Sequence, residues 1–139
     1  MKVKRKLAEE LLEALRQSMG LRIRAGNEHR FTGIWHVVVD ERVFVRSWSA
    51  KEKGWYRTFL KVPNGAILVG KEEIEIAAKP VRDAKLRNSI DRAYLEKYKS
   101  PGAVRYAKDL GSAKSRATTM ELVASRGKNG SRYHVKSSR

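Results

Sequence analysis

The sequence predicts a small antiparallel split β-barrel of about six strands, which is mainly β within the α+β class. Apolar and polar side chains alternate with a period of two in six short segments, and this is the period of a half-buried strand. Most of these segments are separated by turn residues, so neighbouring strands are expected to form hairpins. An N-terminal helix and one helix inserted before the last strand complete the pattern. A doubly wound parallel sheet is excluded because it needs a helix between most strands.

The first half of the chain contains the N-terminal helix and three of the strands. Leucines at helical spacing over 7–19 predict an amphipathic helix that ends near Gly20. The strands are expected at 21–25, 31–39 and 43–48. Residues 40–42 join the last two as a tight turn. The run 34–39 is apolar on both faces, which predicts that a helix or a second subunit covers its outer face.

The second half contains a short helix, a hairpin, a longer helix and the last strand. The expected positions are a helical turn or two over 55–61, a turn at 62–65, a hairpin of 66–69 with 74–79, and a final strand over 117–124. Asp83 is expected to cap the longer helix, and Pro101 with Gly102 to end it. The buried face of that helix is predicted to carry Leu86, Ile90, Ala93 and Tyr94.

Charge divides the chain into a body and two ends. Its 139 residues include 31 Lys and Arg against 15 Asp and Glu, for a net charge of +16. A basic leader over 1–6 and a basic flexible tail over 126–139 contain nine basic residues and no acidic one. Between them, 7–125 is long enough for a single domain. A chain this basic favours polyanionic partners: nucleic acid, phosphorylated cofactors or acidic lipid surfaces.

Several classes of protein are excluded by residues that the chain lacks. Without cysteine there is no disulfide scaffold, thiolate metal site or cysteine nucleophile. The three histidines have no ligand spacing, so no metal is predicted, and His36 is expected to be a partly buried hydrogen-bonding side chain. No run of ~18 apolar residues and no signal peptide is present, which predicts a cytoplasmic protein without a membrane partner.

The stretch 46–57 has the composition of a binding site. It combines four cations, two serines, a glycine and three aromatic residues. Cationic and hydroxyl donors are what a phosphate group requires, and aromatic faces are what a flat ring stacks on. The alternative is a barrel rim, in which the aromatic residues plug one end and the cations point to water.

A family resemblance rests on four pieces of sequence: Gly-Ile-Trp-x-Val-Val-Val at 33–39, Val-x-Val-Arg-Ser at 43–47, Gly-Trp-Tyr-Arg at 54–57 and Asp-x-Ala-Tyr-x-x-Lys-Tyr at 91–98. Together they resemble an uncharacterised bacterial family, domain of unknown function 2255, over about 21–124. More distantly, the loop followed by Trp-Tyr resembles the deazaflavin-dependent nitroreductases. These belong with the pyridoxamine-phosphate-oxidase-like split barrels, which dimerise and bind flavin or deazaflavin at the subunit interface.

The distant resemblance implies a homodimer that binds FMN, a deazaflavin or a related phosphorylated ring cofactor. It implies phosphate contacts from Arg46, Ser47, Lys51 and Lys53, and a ring flanked by Trp55, Tyr56 and Arg57. As an enzyme the protein would be an oxidoreductase in which the cofactor carries the chemistry, and no catalytic residue is assigned.

Two alternatives stay open. One is a nucleic-acid-binding barrel that uses the basic tails together with Trp48 and Trp55. The other is an interaction module without a cofactor.

Overall fold

A computed structural model describes residues 7–26, 30–47 and 54–125 of the chain. The helices are α1 Glu9–Gln17, α2 Trp55–Lys61, α3 Ala84–Lys97, α4 Pro101–Asp109 and α5 Ala113–Arg116. The strands are β1 Leu21–Ala25, β2 Thr32–Ile34, β3 His36–Val39, β4 Arg42–Val45, β5 Asn64–Val69, β6 Glu72–Pro80 and β7 Met120–Ala124. They form one antiparallel sheet in the order β2-β1-β5-β6-β7-β4-β3, which curls into a nearly closed barrel. The predicted split barrel is confirmed.

The two edge strands of the sheet come from one stretch of chain that is interrupted in the middle. The segment predicted as one strand over 31–39 is two strands, β2 and β3, separated at Trp35. β2 pairs with β1 and β3 pairs with β4, so the two edges of the sheet are consecutive in the chain. This break raises the strand count from the predicted six to seven. We call the interruption at Trp35 the split.

Successive residues of β4 face opposite sides of the sheet. Val43 and Val45 belong to the cluster inside the barrel, whereas Phe44 packs outside it with Val37 of β3 and Tyr94 of α3. The outer face of β3 is therefore covered by a helix of the same chain. The apolar run 34–39 predicted that a helix or a second subunit covers this face, and a helix, α3, is confirmed.

One predicted turn is wrong. Residues 62–65 were expected to be a turn, but β5 begins at Asn64, and Gly65 pairs with Ile76 of β6. Gly65 is needed there for a steric reason, since a Cβ at this position would overlap the Arg24 carbonyl oxygen and lie 2.8 Å from the Phe59 ring. The close approach lets Phe59 of α2 pack against the barrel interior.

Replacing Gly65 by Ala is expected to destabilise the fold by about 1–3 kcal/mol, because strand and ring must move apart to admit the methyl group. Gly102→Ala is the matched control, since a Cβ at Gly102 in α4 meets no atom within 4 Å. Alanine also favours a helix over glycine by up to about 1 kcal/mol. Urea denaturation of both variants measures the difference. Equal stabilities would contradict the packing of Phe59 on Gly65.

The segment between β6 and β7 contains three helices where one was predicted. The predicted cap is confirmed, because the Asp83 carboxylate accepts a hydrogen bond from the Leu86 N–H at 3.1 Å. α3 does end before Pro101, but Pro101 begins α4, in the first-turn position that suits a residue without an N–H. α5 follows with Ser112 as its cap, so the last strand starts at Met120 rather than at 117. None of the described helices has the length and hydropathy required to cross a membrane.

Candidate ligand-binding site

The split is held in place by two tyrosines of α3. The Tyr94 hydroxyl donates to the Trp35 carbonyl at 2.9 Å. The Tyr98 hydroxyl donates to the His36 carbonyl at 2.7 Å and accepts from the His36 N–H at 3.1 Å. Burial raises the pKa of both phenols, so they stay neutral donors. Tyr98 also stacks on Trp35 with ring centres 4.1 Å apart and planes 3° from parallel, which fixes the orientation of the indole.

Arg46 lies just after β4, and its guanidinium is enclosed by the protein. Nε donates to Thr119 Oγ1 at 2.8 Å, Nη1 donates to Asp91 Oδ1 at 2.5 Å and to the Leu110 carbonyl at 2.8 Å, and Nη2 donates to the Arg87 carbonyl at 3.1 Å. Four protein acceptors are therefore engaged, on α3, on the segment after α4 and on the segment before β7. A cofactor phosphate at this position would have to compete with Asp91.

Two other candidate residues converge on the segment that carries Thr119. The Ser47 N–H donates to Thr118 Oγ1 at 2.8 Å, and the Tyr56 hydroxyl donates to the Ala117 carbonyl at 3.3 Å. The structure thus places Arg46, Ser47 and Tyr56 around residues 117–119. Tyr56 reaches there from α2.

The structure describes two of the remaining candidates, Trp55 and Arg57. Trp55 packs against the barrel interior with its ring edge-to-face to Phe59, and Arg57 is exposed on α2. Lys51 and Lys53 lie outside the described residues. The phosphate contacts and ring contacts implied by the resemblance are therefore still predictions.

Two cavities adjoin the split, and both are lined by Gly33, Ile34 and Trp35. The first, of about 330 Å³, is completed by Arg46, Tyr106 and Leu110, and we call it the aromatic cleft. The second, of about 590 Å³, includes Met19, Arg22 and Leu68, and we call it the Arg22 cavity. Both volumes fall in the range of ~300–1,000 Å³ that is typical of ligand pockets. Trp35 is therefore shared by a mainly apolar, aromatic cavity and by a cavity that contains the exposed Arg22.

A buried polar cluster lies behind the split. His36 Nε2 is 2.7 Å from the Leu15 carbonyl, which places a proton on Nε2, and Lys97 Nζ donates to the same carbonyl at 3.1 Å. Burial lowers the pKa of His36 to about 4, and the positive charge of Lys97 acts in the same direction. Burial also lowers the pKa of Lys97 to about 8. His36 was expected to be a partly buried hydrogen-bonding side chain, and it is fully buried.

Sequence reasoning missed the residues that complete the two cavities. Tyr106 was missed because 101–109 was not assigned to a helix, although a serine followed by proline is a helix-start signal. Arg22 was treated only as part of an alternating strand. In the described ranges, no group of three or more Asp, Glu or His side chains is arranged to hold a metal ion.

Comparison with known proteins gives a family and several related solved structures. The model of a family described as uncharacterised protein conserved in bacteria, DUF2255, matches residues 12–122. The crystal structure of the conserved hypothetical protein Rv2991 from Mycobacterium tuberculosis is similar with a TM-score of 0.53 and 12% identity, over 91% of this chain and 86% of that chain. No curated protein matches the sequence. At this identity the structural likeness supports the fold alone.

Proposed function

The chain belongs to the DUF2255 family. We propose that its split barrel binds a planar, phosphorylated ring compound of the flavin or deazaflavin class beside Trp35. The observation that carries the proposal is the pair of cavities that share this indole. One is walled mainly by aromatic and aliphatic side chains, with Arg46 engaged by protein acceptors, and the other is lined by the exposed Arg22. A ligand with a flat apolar part and an anionic part needs these two environments next to each other.

The aromatic cleft has the walls that a ring system requires. Trp35 and Tyr106 lie with ring centres 6.3 Å apart and planes at 84°, and Ile34 and Leu110 complete the walls. Trp35 is fixed from behind by Tyr98, so the indole loses little freedom when a ring packs against it. Tyr106 is 46% exposed and stands at the surface, where a ligand can reach it.

The Arg22 cavity fits the anionic part of such a ligand. Arg22 is exposed and lies opposite Leu68 on one side and Gly33 on the other in the sheet register. In the described part of the chain no carboxylate forms an ion pair with it. A guanidinium without an internal partner is a better phosphate ligand than Arg46, whose donors are engaged.

When bound, a flavin or deazaflavin ring would supply electron or hydride transfer. The residues of this chain would hold it. Trp35 and Tyr106 would orient the ring and exclude water from one side, Arg22 would hold the phosphate, and Tyr94 and Tyr98 would keep the indole in position. An oxidoreductase function follows only if a substrate can reach the exposed side of the ring.

Titration with FMN, riboflavin and a deazaflavin cofactor, read by fluorescence quenching, tests the site. Tyr106→Ala is expected to weaken binding of all three about tenfold, since an aromatic contact contributes about 1–3 kcal/mol. Arg22→Gln is expected to weaken FMN about tenfold and to leave riboflavin unchanged, because riboflavin has no phosphate. Arg30→Gln, another exposed arginine, is the control for net charge.

Two results would contradict this placement. If Lys53→Gln and Trp55→Ala weaken binding while Tyr106→Ala and Arg22→Gln do not, the ligand binds at the 46–57 segment, as the resemblance implies. If wild-type protein quenches none of the three compounds, the cofactor proposal is wrong.

The proposal includes a homodimer. β2 is an edge strand whose Thr32 and Gly33 are exposed, and both cavities open beside it. A second copy packed along this edge would cover both the unpaired backbone groups and the ligand. Light scattering is expected to give twice the chain mass of 15.9 kDa, and a monomer at all concentrations would contradict this part.

A further inference from the structure

The positive charge of the body is unevenly distributed over the fold. Between residues 7 and 125 there are 22 basic and 15 acidic side chains. The segment 84–116, which forms α3 to α5, contains nine basic and three acidic side chains. The remainder of the body has 13 basic and 12 acidic ones, so it is nearly neutral. Almost the whole excess charge of the body therefore lies on three helices that cover one side of the barrel.

The cations of these helices are at the surface. The exposed ones are Lys85, Arg92, Lys99, Arg105, Lys108 and Lys114, and we call them the helical basic face. Lys85 and Arg92 are seven residues apart in α3, which places them on the same side of the helix two turns apart. Arg105 and Lys108 are one turn apart in α4. The four residues thus give two short rows of cations on neighbouring helices.

Little in the structure neutralises the helical basic face. Asp91, one of the three acidic residues, pairs with Arg46 at 2.5 Å and with Arg116 at 3.7 Å, and neither arginine belongs to the helical basic face. The barrel differs, since Arg24 pairs with Glu73 and Arg42 pairs with Glu121. Among the described residues, no carboxylate lies within 4 Å of any cation of the helical basic face.

We propose that the helical basic face binds the phosphate backbone of nucleic acid without reading its sequence. Unpaired, exposed cations spaced along helices attract a polyanion and gain further from counterion release. An acidic membrane is the less suitable partner, because the large apolar side chains exposed on α3 and α4 are Leu95 and Tyr106 alone. The six residues of the helical basic face do not line the two cavities at the split.

The test compares two full-length variants of equal net charge. The helix variant carries Lys85→Gln, Arg92→Gln, Arg105→Gln and Lys108→Gln. The control variant carries Arg30→Gln, Lys61→Gln, Lys71→Gln and Lys79→Gln, four exposed cations outside α3, α4 and α5. Both keep the basic leader and the basic tail. Fluorescence anisotropy with a labelled random-sequence 20-base-pair DNA duplex gives the dissociation constant from 50 to 300 mM salt, and circular dichroism checks that each variant is folded.

The helix variant is expected to lose at least tenfold in affinity at 100 mM salt, with the salt slope reduced by about 3–4, since each phosphate contact contributes about 0.9 to the slope. The control variant is expected to lose less than threefold. Equal losses in the two variants would overturn the proposal, because binding would then follow net charge or the tails. Absence of wild-type binding to DNA at 50 mM salt would also overturn it, as would equal binding of both variants to phosphatidylserine vesicles with no DNA binding.

Discussion

Replacement of Arg46 by Leu is expected to lower the free energy of unfolding by about 3–5 kcal/mol, the range found when one partner of a buried ion pair is removed. The Arg46 side chain is fully buried, and Asp91, its partner, is 26% exposed. Without the guanidinium, the ion pair that Asp91 keeps among the described residues is the one with Arg116 at 3.7 Å, and the Thr119 hydroxyl and two carbonyls lose a donor. Urea denaturation followed by tryptophan fluorescence measures the loss.

Arg16→Leu is the matched control for that experiment. Arg16 pairs with Glu13 at 3.1 Å on the exposed side of α1, and pairs of this kind contribute about 0–1 kcal/mol. The double variant Arg46→Met with Asp91→Leu should lose less stability than the sum of the losses of the two single variants. In the double variant neither charge is left without its partner. A loss below 1 kcal/mol for Arg46→Leu would mean that the arginine is solvated.

The role of Arg46 also affects how a ligand site is tested. A variant that lacks Arg46 can lose ligand binding because the split loses its support from α3, without any contact to the ligand. For this reason Arg22 and Tyr106 are better probes of the proposed site. Arg22 is exposed, and Tyr106 lies at the mouth of the aromatic cleft, so neither change removes a buried ion pair.

The sequence predicted local structure well where the signal is local. Asp83 caps α3 as expected, and β5 and β6 form the expected hairpin, although its turn is shorter than predicted because Val69 pairs with Glu72. The split at Trp35 could not be predicted, because every residue of 34–39 except His36 is apolar or aromatic, and the break lies where the pairing partner changes from β1 to β4. Which strands pair is decided by closure of the whole barrel.

The candidate site was only partly predictable for a similar reason. Arg46 is followed at a strand end by serines and lysines, which is typical of a phosphate site, but its partner Asp91 lies 45 residues further along the chain. The motif Asp-x-Ala-Tyr-x-x-Lys-Tyr supports only the family resemblance in the sequence, and the structure places it beside the split. Its residues Asp91, Tyr94 and Tyr98 bind Arg46, Trp35 and the backbone of His36. A motif on α3 thus fixes the backbone at the split and the side chain of Arg46.

Stability is expected to fall by about 3 kcal/mol as the pH decreases from 6.5 to 4, because His36 stays neutral in the fold. Its pKa in the folded chain is about 4, below the ordinary value of 6.5, so in this range the unfolded chain binds a proton that the folded chain does not. The contribution is complete above pH 6.5 and is lost as the pH falls towards 4. Urea denaturation at intervals of half a pH unit measures it.

His36→Gln separates this titration from that of the carboxylates. Glutamine places an amide nitrogen at a reach similar to Nε2 and can donate to the Leu15 carbonyl, but it does not titrate. The variant should therefore show a flat stability between pH 6.5 and 5, where the wild-type protein already declines. Asp and Glu residues titrate lower, so their losses appear in both proteins below about pH 5. If the two curves run parallel from pH 6.5 to 5, the imidazole is solvated in the folded protein, and α1 does not pack over the split as the Leu15 contact requires.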